Sequence, residues 1–370
     1  MESPILRFPL YAKFAFILLI ISIIMSLLYI GQNILIPLLL ALLFAILLIP
    51  VVVLFNKKLR LPHVFAVLLS VTLFVIFIVS IVMFVTWQVS YITDDWIKIK
   101  NNFSIHFQHI QQWIVENYNI SYSKQQNYIN EVTDGAFKGN REFMGSTLNS
   151  FTSTLLNLVL IPIYTFLILL YRAQFKDFLF KIFSQKNELA LVSVLKEVKV
   201  VVQSYILGLL IEMSIVGTLT TTGFIILGVP YALLLGVITA ILNLIPYIGI
   251  LAAGIIAILA TLGNSTDVSM ILGIIATNTV VQLIDNNIVV PKIVGHKVHI
   301  NALATMVGVI VGGAAWGIPG MVLSIPLIAI FKVICDHIDD LKPWGYLLGN
   351  VTPTYRKSIG NKQKTYPAKQ

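Results

Sequence analysis

GVPYALLLGVITAILNLIPYIGILAAGIIAILATLG, Gly228 to Gly263, carries no charged residue, and its reading decides the fold. As one straight helix it would run about 50 Å, well beyond the roughly 30 Å of hydrocarbon in a bilayer. Asn243, Pro246 and Gly249 fall at its centre. Proline breaks a helix there and glycine permits a tight reversal. Each half then has about fifteen residues, short for a crossing but suited to a re-entrant hairpin whose freed backbone groups are satisfied inside the protein.

A second stretch repeats the pattern. Asn301 to Phe331 is also uncharged and is interrupted by GGAAWGIPG, Gly312 to Gly320. Each broken stretch follows an apolar run long enough to cross: Val200 to Leu227 before the first, Val268 to Val290 before the second. The order reads as helix plus hairpin, twice, with Ile245-Pro246 and Ile318-Pro319 at equivalent turns. Charge separates the two topologies. If both broken stretches cross, the basic loop Lys292 to His299 lies outside, against the positive-inside rule. If they are hairpins inserted from opposite faces, it lies inside. The hairpin topology is preferred, and it forms an inverted repeat of the kind that places transport sites near the midplane.

Composition excludes several classes. The chain is 58% hydrophobic and 11% charged, with mean hydropathy +0.90, against about a quarter charged in soluble domains. The net charge of +9 sits in short loops and tails beside apolar runs rather than along a groove with stacking aromatics, which argues against nucleic acid. The single cysteine, Cys335, permits no intrachain disulfide. The pairs His106/His109 and His296/His299 lack a third ligand at a useful spacing. With no Walker loop or nucleophile elbow in the chain, no enzyme, cofactor or resident metal is expected.

Outward from the core, Tyr11 to Ile30, Ile34 to Phe55 and Val64 to Trp87 give three N-terminal crossings within residues 1–87. The first has a basic start like a signal sequence but no small-residue cleavage site, and is read as a membrane helix. The loop NKKLRLPH, Asn56 to His63, should face the cytoplasm. Residues 88–150 form a polar extracytoplasmic insert with five basic and six acidic residues, in which Trp96, Ile99, Phe103, Ile110 and Trp113 recur at helical spacing. Residues 151–171 give a fourth crossing. Residues 172–199, with six basic and three acidic residues, read as a cytoplasmic linker helix lying against the membrane surface. Residues 200–331 form the transport core and 332–370 a basic cytoplasmic tail.

The expectation is therefore an all-α integral membrane protein. It has about six full crossings plus two re-entrant hairpins, equivalently eight transmembrane segments, with both termini cytoplasmic. From Val200 to Val290 the only charged residues are Glu212, Asp267 and Asp285. A carboxylate inside a membrane segment marks an ion or proton path by default, so Glu212 and Asp285 are relay candidates, and Asp267 reads as an external turn residue. QLIDNNIVVPKIVG, Gln282 to Gly295, ends the Val268–Val290 run on the cytoplasmic side. That places Asp285 close to the interface, with Lys292 or Lys297 as a salt-bridge alternative. Gln282, Asp285 and Asn286 share one face at three- and four-residue spacing. Asn243, Asn278, Gln282, Asn286 and Asn287 both donate and accept hydrogen bonds, which suits a polyhydroxylated neutral solute, or else they tie helices together. Pro246, Gly249, Pro291, Gly295, Gly317, Pro319 and Gly320 serve turns and hinges.

NLIPYIG (Asn243 to Gly249), DNNIVVPKIVG (Asp285 to Gly295) and GIPGMVLSIPLIAI (Gly317 to Ile330) resemble the autoinducer-2 exporter family of bacterial permeases. The resemblance covers most of the chain. It implies a multi-pass inner-membrane transporter, a homo-oligomer, exporting a small polar solute such as the autoinducer-2 furanone, with sodium or lithium exchange against protons in some members. This chain departs from the pattern with Leu209 and Leu210 where many members have a glutamine after the glycine at Gly208, and it lacks a proline near Asn301. The leading expectation is a secondary permease working between the lipid bilayer's two sides. The alternatives are a sodium/proton antiporter using Asp285 and Glu212, and a non-transporting scaffold that binds a partner through residues 88–150.

Overall fold

The computed structural model describes residues 9–94, 96–118, 120–125, 159–183, 188–245, 249–262, 268–293 and 300–350. Pro246, Asp267, Gly295, His296, Lys297, His299, residues 95, 119 and 126–150 of the insert and residues 351–370 lie outside the described residues, as do the side chains of His106 and His109. Among the described residues the fold is all helical, and four helices, or five counting one bent pair, are long and apolar enough to cross a membrane. The protein is a multi-pass membrane protein.

The N-terminal half is a scaffold. Helix α1 (Leu10–Ile30) and α2 (Gln32–Lys58) are separated by one residue, Gly31, whose amide still bonds to the Leu27 carbonyl at 2.9 Å. Helix α3 (His63–Asp94) runs beyond the expected end of its apolar run, and α4 (Trp96–Tyr118) follows with the amphipathic spacing described above. Ala45, Leu48 and Val52 of α2, Ala66, Val67 and Val71 of α3, and Leu169 of α5 (Val159–Leu170) share one buried cluster. The buried Thr165 hydroxyl donates to the Ile161 carbonyl of its own helix at 2.8 Å, as hydroxyls do inside membrane helices. Helix α6 (Arg172–Ile182) then turns away from α5 by 64°.

Only the second part of the linker is continuous with the fifth apolar run. Glu188 to Ile226 is one helix of 39 residues, α7, about 58 Å long. Between Glu188 and Leu207 there is no glycine or proline to stop it, so helical propensity carries the chain straight from polar into apolar surroundings. Gln203 Nε2 ties α7 to the Ile46 carbonyl of α2 at 2.7 Å.

Two helical hairpins pack on α7. In the first, α8 (Ala232–Leu242) and α9 (Gly249–Leu262) are about 16 and 21 Å long. Their far ends meet, because Ala232 and Leu235 share a cluster with Ala257, and with Phe224 of α7 and Ile274 of the next helix. At the tip, a side chain on Gly249 would run into the Leu242 carbonyl, so only glycine allows this reversal. Helix α10 (Val268–Ile284) leads into a π-helical turn (Asp285–Val289) and a short α-helical turn (Val290–Ile293). The second hairpin is α11 (Ala302–His337), which reverses at Gly317, with φ 63° and ψ −144°. The Ser324 hydroxyl lies 2.8 Å from the Gly308 carbonyl, sixteen residues back, and 2.6 Å from the Gly320 carbonyl. In a straight helix residues 308 and 324 would stand about 24 Å apart. Residues 302–316 and 318–337 are therefore antiparallel arms, and Gly312 lies tightly against Ser324 and Gly320.

The hairpins enter from opposite ends of α7. Val229 and Ala232, at the open end of the first, pack by Phe224. Ala329 and Val333, at the open end of the second, pack with Val201, with Val194 and Val198 beside them. Trp316, at the second tip, packs against the buried cluster of Leu43, Val202, Tyr205, Ile206 and Leu323, and its indole N–H donates to the Leu28 carbonyl of α1 at 3.1 Å. Asn301 caps the second hairpin by accepting from Ala304 N at 2.7 Å and donates to the Leu347 carbonyl of α12 (Lys342–Leu348).

Candidate functional site

The polar residues of the core meet where the first hairpin turns. Asn243 is the C-cap of α8. Its amide nitrogen donates to Glu212 Oε1 of α7 at 3.0 Å and to Asp285 Oδ2 at 3.4 Å. Glu212 and Asp285 are 8% and 3% exposed. The two carboxylates stand at matching depth: Glu212 is about 21 Å from the Ile226 end of α7, and Asp285 about 25 Å from the Val268 end of α10. Both are enclosed by the surrounding protein. The chain continues past the acid through the π turn and Pro291 for two further turns.

The donor and acceptor inventory is unbalanced. Asp285 Oδ1, Gln282 Oε1 and Asn278 Oδ1 are buried and have no hydrogen-bond partner among the described residues. They fall at steps of three and four along α10 and the start of the π turn, forming a line of bare acceptors about 10 Å long. Asn278 also faces α9, where Gly254 leaves it room. Two carboxylates, one bridging amide and three unpaired acceptors suit an occupant rich in N–H or O–H donors, or a cation.

The remaining candidates lie apart from this line. Asn286 and Asn287 are exposed, and Asn287 turns its amide back to the Leu283 carbonyl at 2.8 Å. One and two residues past Asp285, they point about 100° and 200° around a helix from it, so neither shares its face. Gly317, Pro319 and Gly320 make the second turn, with Gly320 packed against the Gly312 carbonyl. Pro291 lies in the short turn after the π segment. The sequence reading gave no role to Trp316 or Ser324, which hold the second hairpin. Their signal was present: an indole and a hydroxyl in a stretch otherwise made of apolar residues and glycine each need a partner.

A family model described as AI-2E family transporter matches residues 16–340. Over 298 residues the chain is 26% identical to YueF of Bacillus subtilis, covering 78% of this chain and 80% of YueF. It is 34% identical to YrrI of the same organism over 133 residues, a match spanning 36% of this chain and 37% of YrrI. Over 177 residues it is 26% identical to PerM of Escherichia coli K12, covering 48% of this chain and 50% of PerM. The names of all three describe transport proteins or permeases, and none names a substrate.

Proposed function

We propose that this chain, which belongs to the AI-2E transporter family, is a secondary permease of the bacterial inner membrane that exports a small polar solute. The observation that carries this reading is the Asn243 bridge to Glu212 and Asp285 at the tip of a hairpin. Polar side chains are costly in a membrane unless they bind something, and discontinuous helices place them where a solute can be reached from either side. A polyhydroxylated neutral solute of the autoinducer-2 type would donate hydroxyls to the bare oxygens of Asn278, Gln282 and Asp285 and accept from Asn243. In this reading the two hairpins dip in from opposite faces, the loop after Ile293 is cytoplasmic, and alternating access comes from the tips parting from α7 in turn.

The paired carboxylates favour a second reading, a sodium/proton antiporter. Glu212 and Asp285 supply the charge a cation needs, and Gln282 Oε1 can complete its shell. Purified protein in liposomes separates the two. Efflux of one member of a polar-solute panel, lost in Asp285→Asn, supports the permease. Proton movement on adding sodium or lithium, with no solute flux, supports the antiporter. Wild-type flux in Asp285→Asn refutes the site in either case.

A further inference from the structure

We propose that α6, Arg172–Ile182, is a docking helix for an anionic phospholipid surface. No residue of this helix is buried against the rest of the protein. Phe175, Phe178 and Ile182 are 54%, 57% and 59% exposed. At 100° per residue, these three and Leu179 fall within about a third of the circumference. Tyr171 and Phe183, which cap the two ends, are also exposed.

Two observations name the occupant. The first is continuity: α5 is apolar, α6 begins one residue after it, and the 64° bend swings α6 off the axis of α5. A helix leaving a membrane span at that angle lies along the interface. The second is charge. Arg172 and Lys176 flank one edge of the apolar face and Lys181 the other, while the single acid, Asp177, points away from it. Basic residues along both edges let their stems lie on the hydrocarbon boundary and their charges reach phosphate. The Lys176 ammonium stands 5.5 Å from the Phe180 ring, which keeps it along the helix edge. Each basic residue near an anionic surface strengthens binding about fivefold. The site is distinct from the Glu212–Asn243–Asp285 cluster, and its test does not depend on transport.

The test uses the full chain with Cys335→Ala and one new cysteine, Phe178→Cys on the apolar face or Ala173→Cys on the opposite face, carrying an environment-sensitive fluorophore. Each protein is reconstituted in phosphatidylcholine vesicles with or without about one-third phosphatidylglycerol, plus lipids bearing a nitroxide on the acyl chain. The expected result is that nitroxide quenching at position 178 exceeds that at 173 at least threefold in the anionic vesicles. It should fall at least twofold in phosphatidylcholine alone, or when Lys176→Glu and Lys181→Glu are added. Equal quenching at the two positions overturns the proposal. So does facial quenching that ignores both lipid charge and charge reversal, because a neutral surface is then the partner. Energy transfer between labelled copies that persists in detergent also overturns it, since a second chain then covers the face.

Discussion

Asn243→Ala removes the one amide that links the first hairpin tip to both acids. The bond to Glu212 is 3.0 Å and well within range, while the bond to Asp285 is 3.4 Å and near its limit. Leaving a buried acceptor unsatisfied costs about 1–3 kcal/mol, so the two losses together, with the longer bond discounted, come to about 2–4 kcal/mol. If that energy holds the tip against α7 in one state of the cycle, the lower figure predicts about a 30-fold fall in flux. Asn243→Asp should do worse, because it replaces the donor with a third carboxylate facing two others. The assay is solute flux in proteoliposomes at equal protein loading, with elution in detergent as the check on assembly. A double-mutant cycle sharpens it. If Asn243 acts through Glu212, adding Asn243→Ala to Glu212→Gln should cost far less than it does alone. Flux within threefold of wild type in well-assembled Asn243→Ala, or strict additivity in the cycle, would refute the reasoning.

Gly312→Val should lower the melting midpoint in detergent by several degrees, since the added side chain meets Ser324 and the Gly320 backbone and overpacking costs about 1–3 kcal/mol; an unchanged midpoint would count against the antiparallel arms. Gly317→Ala should destabilise by more than about 1 kcal/mol, because φ 63° with ψ −144° suits only glycine, and urea titration of intrinsic fluorescence reads it. Trp316→Phe keeps the ring packing but removes the bond to Leu28, and should cost about 1 kcal/mol of stability in the same titration. A cysteine at Lys292 should react with a membrane-impermeant maleimide only from the cytoplasmic side; labelling from outside would reverse the proposed orientation.

How much of this was legible depended on whether the deciding physics was local. The reversals at Asn243–Gly249 and at Gly317 follow from segments too long for one crossing, broken by proline and glycine at their centres. The fusion of linker and fifth segment into α7 was hidden because the change from Lys199 to Val200 is one of polarity, and polarity does not end a helix. At Asp285 the neighbouring proline and lysine were legible, but the burial of the acid was not, because it comes from distant partners such as Asn243. The sparse polar residues of the core could be named from sequence, but not which of them touch. Glu212, Asn243 and Asp285 are separated by 31 and 42 residues, and only the pairing of α7, α8 and α10 brings them together. Asn286 and Asn287 stand one and two residues past Asp285, and helical spacing alone turns them away from its face.

The two hairpins are inverted in direction but unlike at their tips, and that difference has a consequence. The first tip presents an amide to two acids, whereas the second packs an indole against the cluster of Leu43, Val202, Tyr205, Ile206 and Leu323 and donates to a carbonyl of α1. The first tip meets α7 at Glu212, and the second seats its indole against a cluster that includes Val202, Tyr205 and Ile206 of the same helix. A polar tip binds through directional contacts that a solute can replace one at a time. An apolar tip seals by packing, which is lost as a unit when it withdraws. Under the permease proposed above, pseudo-symmetry in direction with asymmetry in chemistry predicts different work for the tips: exchange of hydrogen bonds with a solute at the first, and closure by packing at the second.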